Sequence, residues 1–376
     1  MITCNEFYEK LTENGVSFFT GVPDSLLKDF SAYLTDHAST DRHIIAANEG
    51  NAVGLAMGSY LATGHPALVY MQNSGQGNAA NPLISLADHK VYGIPMLLLV
   101  GWRGKPGIHD EPQHRMQGKI TIEFFETLQI PTQVLSADPV LAFSQVEALL
   151  KQTKYESRPV ALVVEKGTFK KYTLQNATKN TFSLHREAAI EQIVGALPPK
   201  AVVVATTGKI ARELNEIRQR RNENGSTDFL VIGGMGHALQ IAAGIAQEKP
   251  DRLVCCLDGD GAALMHLGGL CVVASMKQKN LRHIILNNGA HDSVGGQPTV
   301  GFKVQFNAIA AACGYASKKK VTNAQKLEKQ LYSFMKQTGP SLLEVCVALG
   351  SREDLSRPKQ TPQENKQIFM KALSNE

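Results

Sequence analysis

Gly259-Asp260-Gly261, followed after residues 262–286 by Asn287-Asn288, is the stretch of sequence that decides the fold. Apolar runs typical of buried strands precede both polar groups, at residues 253–257 and 283–286. Apolar residues recur between them at three-residue intervals, close to helical spacing: Leu264, Leu267, Leu270, Val273 and Met276. The pattern predicts strand, glycine turn, helix and strand. The carboxylate and the amides then emerge at the carboxyl ends of parallel strands, where open α/β sheets bind ligands.

The polar groups at these strand ends favour a metal site. Carboxylate, amide and backbone carbonyl oxygens are hard ligands that suit Mg2+, and a helix N-terminus beside them suits a phosphate. The economical interpretation is a divalent ion that bridges the protein to a diphosphate. The alternative is that Asp260 caps a helix and the asparagines close a second turn, because Gly-Asp-Gly triplets also arise in ordinary tight turns.

Length and composition indicate a two-domain globular enzyme. The 376 residues suggest two domains of ordinary size, and 43% hydrophobic with 19% charged residues fits a chain with a sizeable core. The net charge of +5 is modest, and no basic run with interleaved aromatics occurs, so we expect no nucleic-acid partner. The positive excess either helps to collect an anionic substrate or reflects solvated lysines.

Cysteine usage and hydropathy predict a cytoplasmic protein with no membrane partner. The six cysteines form no C-x-x-C pair and most lie in apolar runs, as buried reduced thiols do. The first residues lack the regions of a signal peptide. No apolar run approaches the roughly 20 residues that span a bilayer.

Two strand-to-helix junctions in the first half carry carboxylates. Asp24 and Ser25 follow a strand predicted at residues 16–20, where they either cap the next helix or form a polar lip over a substrate. Glu49 opens a helix of small residues after a strand predicted at 43–47. A carboxylate there either compensates the helix dipole or acts on a ligand.

Two loops in the first half are further candidates for binding. The polar loop at residues 72–81 contains glycines and precedes another helix, as in a general anion cradle. The loop at residues 101–115 concentrates histidines and cations, and a loop of that length in a compact domain is usually functional or mobile. We expect His109 and His114 to handle protons and Lys105 and Arg115 to bind an anion, although a charged loop can simply be solvated. No Ser-His-acid triad is indicated.

The second half begins after a polar, basic stretch that we interpret as a linker at residues 169–184. Thr207 and Gly208 follow a strand predicted at 201–205, in a loop placed to meet phosphate oxygens. Met235 lies within a second glycine-rich turn, and on its own it would be interpreted as core packing. The glycine-rich loop at residues 289–299 is expected to close over the site.

The order of these parts resembles the thiamine diphosphate-dependent decarboxylases across nearly the whole chain. The segment from Gly-Asp-Gly to Asn-Asn is similar to the metal–diphosphate motif of that family. The resemblance implies an α/β protein of two thiamine diphosphate-binding domains, each a mostly parallel sheet flanked by helices. These are a pyrimidine-binding domain at 1–168 and a diphosphate- and metal-binding domain at 185–376, without the middle domain that typical members carry.

The resemblance also implies the cofactors and their ligands. Thiamine diphosphate and Mg2+ are expected, with the metal held by the side chains of Asp260 and Asn288 and the backbone carbonyl of Ala290. Glu49 would contact the aminopyrimidine ring and promote its imino tautomer, so that the cofactor itself is the base. The Gly233 carbonyl would accept from the cofactor's amino group, and Met235 would wedge the two rings into a V shape.

Further contacts and the assembly are implied in the same way. The expected cofactor-binding residues are Glu49, Asn73, Gly75, Thr207, Gly208, Gly233, Met235, Gly259, Gly261 and Ala262. The expected substrate-binding residues are Asp24, Ser25, Gln76, Lys105 and Arg115. In this family the cofactor lies between the first domain of one subunit and the second domain of another, so a homo-oligomer with active sites between subunits is expected.

The missing middle domain is typical of the compact members that act on 3-phosphonopyruvate or sulfopyruvate. Residues 19–25, 73–78 and 292–299 look most similar to the enzymes that use the first of these substrates. We therefore expect non-oxidative decarboxylation of 3-phosphonopyruvate to 2-phosphonoacetaldehyde and CO2, a step of phosphonate biosynthesis. The alternatives are a decarboxylase of sulfopyruvate or another anionic 2-oxo acid, a carboligase and a non-catalytic cofactor-binding protein. The cation that meets the phosphonate stays open among Arg103, Lys105, Arg115 and Arg352.

Overall fold

The computed structural model describes residues 1–177 and 179–374. Thr178, in the predicted linker, and Asn375 and Glu376, at the end of the second predicted domain, lie outside the described residues. None of the described helices combines the length and the apolar character that crossing a bilayer requires.

The chain divides into two compact units. The first contains Met1–Ala177 together with Ser293–Pro298, and the second contains the described residues of Thr178–Asp292 and Thr299–Glu376. The boundaries at 168 and 185 stay predictions. The short segment Ser293–Pro298 is anchored within the first unit by Gln297, whose side-chain amide donates to the Ser31 hydroxyl over 2.9 Å.

The first unit is a parallel sheet flanked by helices. Its strands stand in the spatial order β2-β1-β3-β4-β6-β5 and all pair in parallel. They are β1 (Phe19–Gly21), β2 (His43–Ile45), β3 (Ala67–Gln72), β4 (Met96–Gly101), β5 (Thr132–Val134) and β6 (Pro159–Val164). The α-helices are α1 (Cys4–Glu13), α2 (Lys28–His37), α3 (Glu49–Thr63), α4 (Gln76–Pro82), α5 (Pro112–Thr127) and α6 (Pro139–Glu156), with a 3₁₀ turn at Asn73–Gly75 and a π-helical turn at Leu83–Ala87.

The second unit has the same architecture, with strands in the order β11-β12-β10-β9-β7-β8, again all parallel. They are β7 (Val202–Ala205), β8 (Asp228–Leu230), β9 (Val254–Gly259), β10 (Leu281–Asn287), β11 (Ser317–Val321) and β12 (Ser341–Cys346). The helices are α7 (Arg186–Ala196), α8 (Lys209–Arg220), α9 (Ala238–Glu248), α10 (Asp260–Met265), α11 (Gly269–Ser275), α12 (Phe306–Cys313), α13 (Ala324–Lys336) and α14 (Pro362–Ser374).

The two sheets repeat one topology. When the strands are numbered in chain order within their own unit, both sheets have the spatial order 2-1-3-4-6-5. The chain that follows β1 therefore continues toward one edge of the sheet, and the chain that follows β3 continues toward the other edge. The same holds for β7 and β9 in the second sheet. Ligands of open α/β sheets bind at the carboxyl ends of such strand pairs. The predicted α/β class with two such domains is confirmed.

Burial of both sheet faces explains why the strands are nearly continuous apolar runs. In β4, Leu97 and Leu99 belong to the core on one face, whereas Met96, Leu98 and Val100 belong to the core on the other. In β9 the same alternation separates Cys255 and Leu257 from Val254 and Cys256.

The helix predicted across residues 264–276 is interrupted. The structure has two short helices, α10 and α11, with a break between Met265 and Gly269. Apolar residues spaced strictly by three drift around a helix of 3.6 residues per turn, and Gly268-Gly269 lowers helix propensity at the break. The apolar stripe is therefore divided between two short helices.

Substitution of Leu98 tests the burial of the first sheet. Its side chain is fully buried in β4, so Leu98→Ala should leave a cavity and lower the free energy of unfolding by about 2–5 kcal/mol. Leu61→Ala, on the exposed face of α3, should change it by less than about 0.5 kcal/mol. Urea unfolding followed by far-UV circular dichroism measures both, and equal effects of the two variants would contradict this packing.

Candidate active site

Asp260 is the buried anion at the end of β9. It is the first residue of α10, and its carboxylate accepts hydrogen bonds from the Thr299 hydroxyl and from the backbone N–H of Asn288 and Gly261. A Cβ added at Gly301 would lie 2.5 Å from Asp260 Oδ2, so only glycine fits against this carboxylate.

The turn after β10 contains the other two predicted metal ligands, Asn288 and Ala290. Asn288 Oδ1 accepts from the backbone N–H of Ala290 over 3.1 Å, which bends the chain tightly after the strand. Asn287 supports that bend, because its Oδ1 accepts from Gly289 N over 3.1 Å and its Nδ2 donates to the buried Glu344 over 2.9 Å. The backbone N–H of Asn288 therefore contacts Asp260, and Ala290 contacts the Asn288 side chain. That these three residues bind a metal stays a prediction.

The electrostatics of this cluster suit a cation. Burial raises the pKa of Asp260 to about 6, against the lowering effect of its hydrogen bonds to Thr299 and to backbone N–H groups. All these donors are neutral, so they leave the buried negative charge uncompensated. A carboxylate, an amide oxygen and a carbonyl oxygen are also the donor types that Mg2+ prefers. The residues present therefore fit a divalent metal.

Two glycine turns flank this cluster. Thr207 Oγ1, after β7, accepts from the backbone N–H of Gly233 over 3.1 Å, which ties the two predicted cofactor loops together. Gly208 has φ +101° and Gly233 has φ +72°, conformations that favour glycine. A Cβ added at Gly261 would lie 3.4 Å from the Met235 methyl group, so the predicted wedge lies beside the Gly-Asp-Gly turn. Gly259 ends β9 and Ala262 is buried in α10.

In the first unit, Glu49 has a fixed and buried position. Asn48 caps α3 by accepting from Asn51 N over 2.9 Å, so the helix begins at Glu49. The Glu49 carboxylate accepts from Asn78 Nδ2 over 2.8 Å. A Cβ added at Gly75 would lie 2.3 Å from Glu49 Oε1, which means that the loop after β3 touches this carboxylate and requires glycine.

The other two predicted residues of this loop differ in their contacts. Asn73 is engaged with the protein, because its Nδ2 donates to Arg103 O over 2.7 Å and to Thr121 Oγ1 over 2.9 Å. Gln76 is buried, and neither its Oε1 nor its Nε2 has a hydrogen-bond partner in the described part of the chain. Gln76 therefore has unused hydrogen-bonding capacity for a ligand.

Asp24 is fully buried after β1. Its Oδ2 accepts from Leu26 N over 2.6 Å and from Leu27 N over 3.1 Å, while its Oδ1 has no partner among the described residues. Burial raises the pKa of Asp24 to about 6, against these backbone hydrogen bonds and the nearby charge of Arg103. Ser25 accepts from Arg103 Nη1 over 2.8 Å.

The loop after β4 is organised by Arg103 and Asp110. Arg103 Nε donates to Asp110 Oδ2 over 2.8 Å and its Nη2 donates to Oδ1 over 2.5 Å, in a bidentate pair. Burial acts to raise the pKa of Asp110, but Arg103 and the backbone N–H groups of Glu111 and Gly104 hold it well below its usual range.

The remaining predicted residues of this loop lie in different surroundings. Lys105 forms an ion pair with Glu165 and lies 5.4 Å from the centre of the Trp102 ring. His114 is buried in the first turn of α5, whereas His109 and Arg115 are exposed. Their catalytic and binding roles stay predictions.

Sequence reasoning missed several residues that hold the site. Thr299 and Asn78 are the hydrogen-bond partners of Asp260 and Glu49, and Asp110 is the partner of Arg103. Each pair joins elements distant in sequence or crosses a loop, so no local spacing reveals it. The available signal was the polar loop in which each partner lies.

Comparison with known proteins defines the class. Thiamine pyrophosphate enzyme, N-terminal TPP binding domain, matches residues 3–124, and Thiamine pyrophosphate enzyme, C-terminal TPP binding domain, matches residues 206–345. Together with the two parallel sheets and their polar strand ends, these matches define a thiamine pyrophosphate enzyme. Thiamine diphosphate is thereby confirmed as the cofactor.

Relatives that align over nearly their whole length identify the family within this class. The phosphonopyruvate decarboxylase of Streptomyces hygroscopicus is 34% identical over 97% of this chain and 92% of its own length. That of Streptomyces viridochromogenes is 33% identical over 97% and 93%. The sulfopyruvate decarboxylase of Methanosarcina acetivorans is 26% identical over 97% and 96%. The chain belongs to the phosphonopyruvate decarboxylase family of thiamine diphosphate-dependent decarboxylases, which confirms the predicted resemblance and enzyme class.

Asp24 gives a prediction about pH. Its folded-state pKa of about 6 lies above the ordinary value of 3.8, so the folded protein holds this proton more tightly than the unfolded chain does. The contribution of Asp24 to the free energy of unfolding is therefore lost as pH rises from about 4 to about 6. Asp24→Asn cannot ionise, so the variant does not undergo this loss. The stability of the variant relative to wild type should increase between pH 4 and pH 7 by up to about 3 kcal/mol.

Urea unfolding at the two pH values measures this difference. Asp251→Asn, at an exposed aspartate, is the control and should show no such increase. A constant difference between Asp24→Asn and wild type at both pH values would contradict the assigned burial effect.

Proposed function

We propose that this enzyme decarboxylates 3-phosphonopyruvate to 2-phosphonoacetaldehyde and CO2, with Mg2+ joining the cofactor to the protein. The observation that carries the proposal is near full-length similarity to two phosphonopyruvate decarboxylases, at 34% and 33% identity against 26% for the sulfopyruvate enzyme. The buried clusters around Glu49 and Asp260 support it, because each offers the groups that the cofactor requires.

The second unit would hold the metal and the diphosphate. Asp260, the Asn288 side chain and the Ala290 carbonyl would be the protein ligands of Mg2+. Thr299 and Asn287 would position them, since they hydrogen-bond to the Asp260 carboxylate and to the turn after β10. The loops at Thr207 and Gly233 would meet the rest of the cofactor.

The first unit would act on the aminopyrimidine ring. Bound thiamine diphosphate supplies the electron sink for the decarboxylation. Glu49 would exchange a proton with the ring at its carboxylate, which Asn78 orients and against which the Gly75 backbone packs closely. Because Glu49 is buried, water competes little for that contact.

The charges of the first unit suggest which cation meets the phosphonate. Arg103 is locked in a bidentate pair with Asp110, and Arg352, in the second unit, contacts three carboxylates. Lys105 pairs with Glu165 while about a third of each side chain is exposed, so this pair exchanges partners at little cost. We assign phosphonate binding to Lys105 and Arg115.

The other predicted residues complete the proposed substrate site. Asp24, Ser25 and Gln76 would fix the orientation of the substrate, because Asp24 and Gln76 have buried atoms without hydrogen-bond partners among the residues that the structure describes. His114, buried in α5, and the exposed His109 would handle the proton that the product gains.

The assembly and the compartment are also part of this proposal. Thiamine diphosphate-dependent decarboxylases work as homo-oligomers, and we extend that property to this chain. The six free thiols support a cytoplasmic location.

Sulfopyruvate is the second candidate substrate, because a sulfopyruvate decarboxylase aligns over 96% of its length. Initial rates of aldehyde release from 3-phosphonopyruvate, sulfopyruvate and pyruvate, each with and without thiamine diphosphate and Mg2+, distinguish the candidates. We expect the largest kcat/KM for 3-phosphonopyruvate and no turnover without the cofactor. A larger value for sulfopyruvate would transfer the proposal to that substrate, and joined products with an added aldehyde would indicate a carboligase.

Substitution of Glu49 distinguishes a loss of catalysis from a loss of cofactor binding. Glu49→Gln keeps the shape of the side chain but removes its charge, so kcat should fall by about 10²–10⁴-fold while calorimetry still detects thiamine diphosphate binding. Glu13→Gln, at an exposed glutamate of the same unit, is the matched control and should leave both quantities unchanged. Full activity of Glu49→Gln would exclude the role assigned to this carboxylate.

A further inference from the structure

Two thiols lie against each other at the surface of the second unit. Cys271 is exposed on α11, and Cys313 is the half-buried last residue of α12. Their Sγ atoms are 3.0 Å apart. A disulfide bond is about 2.05 Å long, so the two sulfurs need to approach by only about 1 Å to bond.

We propose that Cys271 and Cys313 form a reversible disulfide and are a redox modification site of this enzyme. The pair joins two helices that already pack on one core, since Leu270 and Val273 of α11 and Phe306 and Ala310 of α12 belong to the same buried cluster. Bond formation therefore requires a local adjustment of two side chains and no rearrangement of the helices.

The chemistry needs a disulfide oxidant, for which oxidised glutathione is sufficient. The exposed Cys271 thiolate attacks one glutathione sulfur, which forms a mixed disulfide and releases one glutathione thiol. Cys313 then loses its proton and attacks Cys271 Sγ, which forms the protein disulfide and releases the second glutathione thiol. The two protein thiols lose two electrons and two protons, and the oxidant gains both.

The other four cysteines are shielded from this reaction. Cys4, Cys255, Cys256 and Cys346 are buried, and burial raises the pKa of each thiol, to about 12 for Cys4 and Cys255 and to about 11 for Cys346. Burial, together with the hydrogen bond to Cys271, also raises the pKa of Cys313 to about 11. The exposed Cys271 is therefore the entry point for the oxidant.

The position of the pair determines what the bond constrains. The segment 271–313 contains β10 and the turn with Asn288 and Ala290, and α11 follows the short helix that begins at Asp260. A bond between its ends closes this segment into a ring, which restricts the unfolded chain. The oxidised second unit should therefore unfold at a higher temperature than the reduced unit.

Thiol counting tests the proposal on the intact protein. After incubation with oxidised glutathione, removal of the reagent and denaturation, alkylation with polyethylene-glycol maleimide should modify four of the six cysteines, and all six after dithiothreitol. Fragment mass spectrometry should show Cys271 joined to Cys313. The thermal midpoint should rise by several degrees on oxidation and return on reduction.

Matched variants exclude other pairings. Cys271→Ser and Cys313→Ser should show no intramolecular bond and no thermal shift, whereas Cys4→Ala should still lose two thiols on oxidation. Six reactive thiols after oxidation, glutathione retained on Cys271, or disulfide-linked dimers on a non-reducing gel would each overturn the proposal. Because these readouts do not involve turnover, they are independent of the proposed reaction.

Discussion

The site depends on a negative charge placed where water does not reach it. Asp260 is buried at the end of β9, and its hydrogen bonds come from a hydroxyl and backbone N–H groups, all neutral. An isolated ionised carboxylate in such surroundings costs considerable free energy, which a bound cation offsets. The tight turn at Asn288, the glycine at 301 and the hydroxyl of Thr299 are all arranged around this carboxylate. These contacts therefore hold a buried carboxylate whose hydrogen-bond donors are all neutral.

The two units share one topology but carry different side chains at their strand ends. Both sheets have the same strand order, so both present polar loops at the same relative strand ends. In the first unit, the ends of β2 and β3 bring Glu49 against Gly75 and Asn78, so that a carboxylate meets an amide donor. In the second unit, the strand ends carry Asp260, Asn288 and the turns at Gly208 and Gly233. The fold therefore supplies the positions, and the side chains at the strand ends decide the chemistry.

The sequence predicted those parts of the structure that depend on local order. Asp260 and Asn288 lie at strand ends and Glu49 at a helix start, as the apolar runs before them predict, while their functional roles stay predictions. The partners Thr299, Asn78 and Asp110 were not found, since a hydrogen bond between distant segments leaves no periodic signal. The helix expected across 264–276 was wrong in its continuity, because adjacent glycines outweighed a weak apolar repeat. The ion pair between Arg103 and Asp110, in the loop after β4, was not predicted either.

The segment Ser293–Pro298 affects how this chain can be divided into fragments. It belongs to the first unit, where Gln297 is fully buried and donates to Ser31, although its flanking residues belong to the second. A gene fragment that stops at residue 177 would therefore encode the first sheet without one of its own buried contacts. Some related sulfopyruvate decarboxylases are named as separate alpha and beta subunits. Recreating such a two-chain arrangement here would leave Gln297 on one polypeptide and Ser31 on the other, so co-expression of both pieces would be required to restore that contact.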